Sequence, residues 1–231
     1  MNNSLNDFEK FAVSNGISTN KLDGYSKYLT KNGLINPTIL EERQLNVVGI
    51  DIISRLMYDK IICLFDDVTS DSSNIIKSQL LYLNSISDKT DDIRLWIDTR
   101  GGDVISGLSL IDVMNFVEPD VSTYCMGMCA SMGAVILSSG TKGKRFSLKH
   151  GEIMIHQVRG GNEGVFSDMK INLKHSERLQ NDLYKILSEN TGKSFEEIER
   201  DADRDRWFTP EEAINYGDRG LIDSIISKNK I

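Results

Sequence analysis

Between residues 59 and 140 the chain alternates two kinds of segment, and this alternation limits the fold more than any other feature. "DKIICLF" (59–65) is a short apolar run of β-prone residues. "SSNIIKSQLLYLNSIS" (72–87) then sets Ile75, Ile76, Leu80, Leu83 and Ile86 at helical spacing. "DIRLWID" (92–98) alternates as a strand does. "RGGDVISGLSLIDVMNFVEPD" (100–120) reads as a Gly-Gly turn feeding a helix that stops before Pro119. "VSTYCMG" (121–127) reads as a strand, and "SMGAVILSSG" (131–140) opens a helix of small residues. Strand and helix repeating in this way predict an α/β fold with right-handed crossovers. Short strands follow near 145–148 and 153–156, then the glycine-bracketed "RGGNEG" (159–164). A long helix is expected over 166–191, stopped by Gly192, and shorter ones near 194–203 and 210–217. Thr209 and Pro210 suit the cap and first turn of the last. Residues 1–40 are polar and weakly periodic. They read as an N-terminal extension, flexible or a propeptide, with a helix over 5–13, ahead of a main domain over 41–231.

Composition removes several functions. A chain of 231 residues with 39% hydrophobic and 26% charged residues has the makeup of a soluble globular protein. Its formal charge is −7 and no basic stripe stands out, so nucleic acid is not an expected partner. Cys63, Cys125 and Cys129 are odd in number and lack the CxxC spacing, which argues against disulfides and a zinc site. They read as reduced, buried thiols of a cytoplasmic protein. No signal pattern opens the chain, and no run approaches the roughly 20 apolar residues of a membrane span.

Ser131 is a lone hydroxyl among Gly, Ala, Cys and Met. It is a packing detail unless other groups activate it. A nucleophilic serine needs a base, a group that orients the base, and donors for the oxyanion. Of three histidines, His150 lies in a polar turn and His175 in the charged run "NLKHSERL". His156 ends the apolar run "EIMIH", where a strand opens into a loop, and is the candidate base. Gly101-Gly102 is either a tight turn or, with the Met132 amide, an oxyanion site. The acid stays open among Asp201, Asp203 and Asp205. Cys129 is a weaker rival nucleophile, and Ser138 and Ser139 read as structural. The 166–191 helix has a narrow apolar stripe and could cover its own sheet or pack against a copy of itself.

Four motifs narrow these alternatives: "ASMGA" (130–134), "TKGKR" (141–145), "IMIHQ" (153–157) and "DRDRWFTPEEAINYGDRGLID" (203–223). With "ILEERQLNVVGIDIISRLMYDKII" (39–62) they resemble ClpP, the proteolytic subunit of the Clp proteases, in its Bacteroidetes form, across residues 39–227. The resemblance implies a ClpP/crotonase-like fold of stacked ββα units with a projecting handle near 158–191. It implies Ser131 as nucleophile, His156 as base and Asp205 as acid, with Gly102 and Met132 as oxyanion donors. No metal or cofactor is implied, and ATP would be used only by a partner. Two stacked heptamers would enclose the sites, with Asp168 and Arg204 across the ring–ring interface. An AAA+ unfoldase such as ClpX or ClpA would feed in unfolded polypeptides.

The chain departs from the family pattern at several positions. Arg100 stands where Pro commonly precedes Gly-Gly, and Val158 with Arg159 follows His156-Gln157 where Pro is common. An arginine at the groove would favour acidic substrate residues or pair with Asp103. Val165 replaces a Gln of the handle turn, and Arg94 replaces an outer aromatic of the unfoldase-docking groove, weakening it, while Trp96 is kept. These changes suggest a divergent paralogue. It is expected to be an active peptidase or, alternatively, a subunit active only in mixed rings; CoA-ester chemistry on the crotonase side is the remote third reading.

Overall fold

The structure, a computed structural model, describes residues 38–43, 46–86, 91–161 and 163–227. The helix expected over 5–13 lies outside these residues. The chain divides into two compact units at Arg55/Leu56. In the first, β1 (Thr38–Arg43) and β2 (Asn46–Asp51) pair antiparallel, from Thr38 opposite Asp51 to Arg43 opposite Asn46. Helix α1 (Ile52–Tyr58) follows, its start capped by Asp51, which accepts from the Ser54 amide and hydroxyl.

The second unit is built on a seven-stranded sheet, which is the expected α/β class. Strands β3 (Ile61–Leu64), β4 (Ile93–Thr99), β5 (Val121–Ala130), β6 (Arg145–Leu148) and β9 (Ser224–Ile226) run parallel in that order. Strand β7 (Glu152–Ile155) pairs parallel with β5, and β8 (Arg206–Phe208) pairs antiparallel with β7. Alternation decides which face is buried. Ile62 and Leu64, with Ile93, Leu95 and Ile97, point into the core. Helices α2 (Ser70–Ile86) and α3 (Val104–Phe116) supply Ile76, Leu80, Leu83, Leu110, Ile111 and Met114 to the same core. The opposite positions of β4, β5 and β6 form a half-buried aromatic ladder. Trp96 is opposite Tyr124 and Tyr124 opposite Phe146, with ring centroids 4.6 and 5.0 Å apart.

Strand β5 does not end at Gly127, as its sequence suggests, but runs on to Ala130. Ile97 is opposite Cys125 and Thr99 is opposite Cys129, so β5 spends two extra residues in a bulge at Met126–Gly127. Asp98 fastens it by accepting from the Met128 amide at 2.9 Å. Beyond the bulge β5 changes neighbour. Thr123–Cys125 pair with β6, whereas Met128–Ala130 pair with β7.

Helix α4 (Met132–Ser138) is buried throughout and descends from the end of β5. Helix α5 (Phe166–Thr191) has the bounds its sequence predicts, closed by Gly192 in the left-handed conformation. Its C-terminal half buries Leu183, Tyr184 and Leu187, while Phe166, Ile171 and Leu173 of the other half are 60–77% exposed. Helices α6 (Phe195–Asp201) and α7 (Pro210–Ile214) are shorter than expected, and each starts in a capping box, on Ser194 and Thr209.

Arg145 joins these parts. It is 2% exposed and makes a forked pair with Asp223, with Nε to Oδ2 at 2.9 Å and Nη2 to Oδ1 at 2.7 Å. Its remaining donors reach the carbonyls of Ser138, Asn190, Arg219 and Gly220. The far end of α4, the end of α5 and the 219–223 segment therefore share one buried cation.

Candidate active site

The parallel strands β4, β5 and β7 end on the same side of the sheet, where open α/β sheets gather their reactive groups. The residue after β5 is Ser131 and the residue after β7 is His156. Ala130 is opposite Met154, and the Ser131 amide donates to the Met154 carbonyl at 2.8 Å, so both side chains emerge side by side. Strand β8 runs the other way, with Ile155 opposite Arg206. One step further, that register puts Asp205 opposite His156.

Ser131 turns the chain from strand to helix at φ 55°, ψ −122°, a strained conformation for a residue with a Cβ. Strain of this kind costs about 1–3 kcal/mol and is held by its surroundings. Gly101 belongs to those surroundings. It sits at φ +100°, and a Cβ there would lie 2.7 Å from both the Ala130 carbonyl oxygen and the Ser131 Cβ. Only glycine lets the strand-end backbone pass this close to the serine turn.

His156 Nε2 lies 2.7 Å from Ser131 Oγ, within hydrogen-bond reach. Asp205 is less simply placed. Its Oδ1 is 3.2 Å from His156 Nδ1, but the alignment is not that of a hydrogen bond. Among the described residues the buried Nδ1 makes no well-aligned hydrogen bond, although the Asp205 carboxylate stays within ion-pair range. The same Oδ1 accepts from Arg159 Nη2 at 2.5 Å. Burial pushes the His156 pKa below its ordinary value, and the Arg159 charge adds to this against the pull of Asp205. The Arg159 guanidinium is also the main reason that the Asp205 carboxyl is held below the usual carboxylate range. Imidazole is therefore the resting form of His156 at neutral pH, as a proton acceptor requires.

Gly102 and Met132 line one cleft with Ser131 and His156, of about 170 Å³. Val68 bonds to the Gly101 carbonyl and to the Asp103 amide, which turns the intervening Gly102 N–H to the other side. Met132 opens α4, where the first amides have no intrahelical acceptor. Among the described residues neither amide has a hydrogen-bond acceptor, so both can serve a negative oxygen.

The other sequence candidates take different places. Cys129 is fully buried, its thiol faces the Ile97 carbonyl at 3.6 Å, and burial pushes its pKa far up, so it is no rival nucleophile. Ser138 and Ser139 donate to the Val135 carbonyl and accept from Asn190. Asp201 is engaged by Tyr216 and Arg206, away from the cleft. Asp203 accepts from Gln157 Nε2 through its carbonyl and pairs with Arg204. His150 is an exposed turn residue, and His175 is exposed on α5 beside Arg178. Asp168 is exposed in the first turn of α5, and Arg204 is 82% exposed. Arg100 does not line the Ser131 cleft but a separate hollow with Asp66, Asp67 and Asp98. Asp103 caps α3 by accepting from Ser106, and the arginine that reaches the groove, Arg159, takes Asp205 instead. Arg94 donates to the Asp59 carbonyl at 2.7 Å beside the aromatic ladder. Sequence reasoning missed Arg145, although "TKGKR" contained it, and the Arg159–Asp205 pair, for which the sequence holds no periodic signal.

A family model described as Clp protease matches residues 44–229. The chain belongs to the Clp protease family. An ATP-dependent Clp protease proteolytic subunit of Porphyromonas gingivalis is 44% identical over 227 residues, covering 98% of this chain and all of the relative. One from Bacteroides fragilis is 43% identical over 225 residues, 97% of this chain and all of the relative. A proteolytic subunit 2 from Synechococcus is 46% identical over 195 residues, 84% of this chain and 97% of the relative. The chain is thus a serine peptidase of the ClpP type, carrying a Clp protease fold. Among the described residues no helix is long and apolar enough to cross a membrane.

Proposed function

We propose that the chain cleaves unfolded polypeptides by acyl transfer through Ser131, His156 and Asp205. The observation that carries this reading is the 2.7 Å contact between His156 Nε2 and Ser131 Oγ, beside the Gly102 and Met132 amides. His156 takes the Ser131 proton as Oγ attacks the scissile carbonyl. The two amides hold the oxyanion, each contributing about 3 kcal/mol in well-characterised serine proteases. His156 returns the proton to the leaving amine, and water then cleaves the ester. The chain's own side chains and amides supply each of these roles, so neither metal nor cofactor is needed.

The exposed apolar residues of α5 support self-association into two stacked heptamers, in which Asp168 and Arg204 would face a second ring. Relatives named as ATP-dependent support delivery of substrate by an AAA+ unfoldase of the ClpX or ClpA type, in the cytoplasm, with ATP used by that partner. One observation favours a second reading, a subunit active only in mixed rings: Asp205 is bound to Arg159 rather than hydrogen-bonded to His156.

Intact-mass measurement after fluorophosphonate treatment separates the readings. Self-sufficient catalysis gives one adduct per chain, absent in Ser131→Ala. No adduct from the protein alone, but labelling once a second proteolytic subunit is added, establishes the mixed-ring reading.

A further inference from the structure

A single oxygen, Asp205 Oδ1, is contested by two donors. Arg159 Nη2 holds it at 2.5 Å, and His156 Nδ1 stands at 3.2 Å without alignment. Nδ1 is the side of the imidazole that an acid must hold for Nε2 to face the serine correctly. Arg159 is 69% exposed and Asp205 41%, so their pair is reachable from solvent, whereas the His156 ring is 10% exposed and packed into the site. Arg159 also lines two neighbouring spaces. One is the Ser131 cleft, and the other is a hollow shared with Asp203, Arg204 and Asp205. Its guanidinium can therefore turn from Asp205 to a group lying in the cleft while staying on the same backbone.

We propose that Arg159 is a positioning and specificity-determining residue, which withholds Asp205 from His156 in the empty site and releases it when a carboxylate side chain of the bound peptide takes the guanidinium. An exposed arginine–carboxylate pair is held only weakly against water, so a substrate carboxylate can take the place of Asp205 on the guanidinium. Asp205 then swings onto the Nδ1–H that makes no well-aligned hydrogen bond. The charged groups facing His156 are Arg159 and Asp205, with Asp203 and Arg204 in the adjoining hollow and Tyr184 across the cleft. The inference rests on the Ser131–His156–Asp205 reading of the site.

The sign of the pH effect follows from charge. Arg159 disfavours the imidazolium and Asp205 favours it, so removing Arg159 raises the His156 pKa on both counts. In Arg159→Leu the acid limb of fluorophosphonate labelling moves to higher pH, and the plateau rate rises at least threefold. Fluorogenic peptides differing only in Glu or Gln beside the scissile bond give the second readout. The wild type turns over the Glu peptide with at least fivefold higher kcat. Arg159→Leu shows no preference, and Arg159→Lys keeps part of it. An unmoved limb, a slower plateau in Arg159→Leu, or equal kcat for the two peptides in the wild type overturns the proposal. Absence of labelling in the wild type rejects the self-sufficient peptidase reading instead. The proposal is then read from the His156 ring by NMR titration, where an unchanged pKa in Arg159→Leu overturns it.

Discussion

Ser131 is held at φ 55° by its bond to Met154 and by the backbone of Gly101. Replacing it by glycine removes the strain, about 1–3 kcal/mol, and adds about 0.5–1 kcal/mol of chain entropy to overcome. Ser131→Gly is therefore expected to be inactive yet more stable by about 1 kcal/mol, raising Tm by roughly 2–4 °C for a chain of this size. Calorimetry showing an unchanged or lowered Tm would remove strain from the account of this turn. His156 stood out as a candidate because histidine is scarce and it alone ends an apolar run, whereas Ser131 stayed open between packing detail and nucleophile until the family motifs were read. Asp205 was not separable from Asp201 and Asp203 without the family motif. What brings it to His156 is the pairing of β7 with β8, across about fifty residues, and β8 has only three residues of its own. The position of Arg159 depends on a loop and was unreadable for the same reason.

At the scale of elements, helices were easier to foresee than strands. The α5 stripe and Gly192 define both ends of a 26-residue helix. Strands β8 and β9, of three residues each, exist through their partners and leave no period. Gly127 looked like a strand end because a glycine in a bulge and a glycine in a turn read alike in sequence. The hairpin of β1 and β2 begins at Thr38, inside the stretch that composition marked as polar extension. Arg145 ties three elements, and its loss is testable. Arg145→Met leaves the Asp223 carboxylate, 18% exposed, without its cation, and should cost about 3 kcal/mol. Adding Asp223→Leu should recover less than half, because four carbonyls still lack their donor. Urea midpoints measure both, and full recovery in the double variant would mean that the carbonyl contacts contribute little.

At the scale of the whole molecule, the proposed self-association is tested at the exposed end of α5. Phe166 and Leu173, seven residues apart, share one face of the helix and Ile171 lies on another, and among the described residues all three stay largely exposed. Changing all three to Ser should leave the C-terminal half of the helix packed through Leu183, Tyr184 and Leu187. Native mass spectrometry should then show double rings giving way to single ones. Intact double rings would move the interface elsewhere.

Arg145 also sets an order of events during synthesis. Its counter-charge sits at residue 223 and three of its four carbonyl partners at 190, 219 and 220, all far downstream of Ser131. A nascent chain that has emerged only through β6 carries an arginine whose carboxylate partner has not yet been made, so the tie between α4, α5 and the 219–223 segment is still absent. Chains leave the ribosome at about 5–20 residues per second, so Arg145 waits several seconds for its counter-charge after it is made. Residue 223 must therefore be made before Arg145 can be buried with its counter-charge, and the parts it joins close on one another only near the end of synthesis.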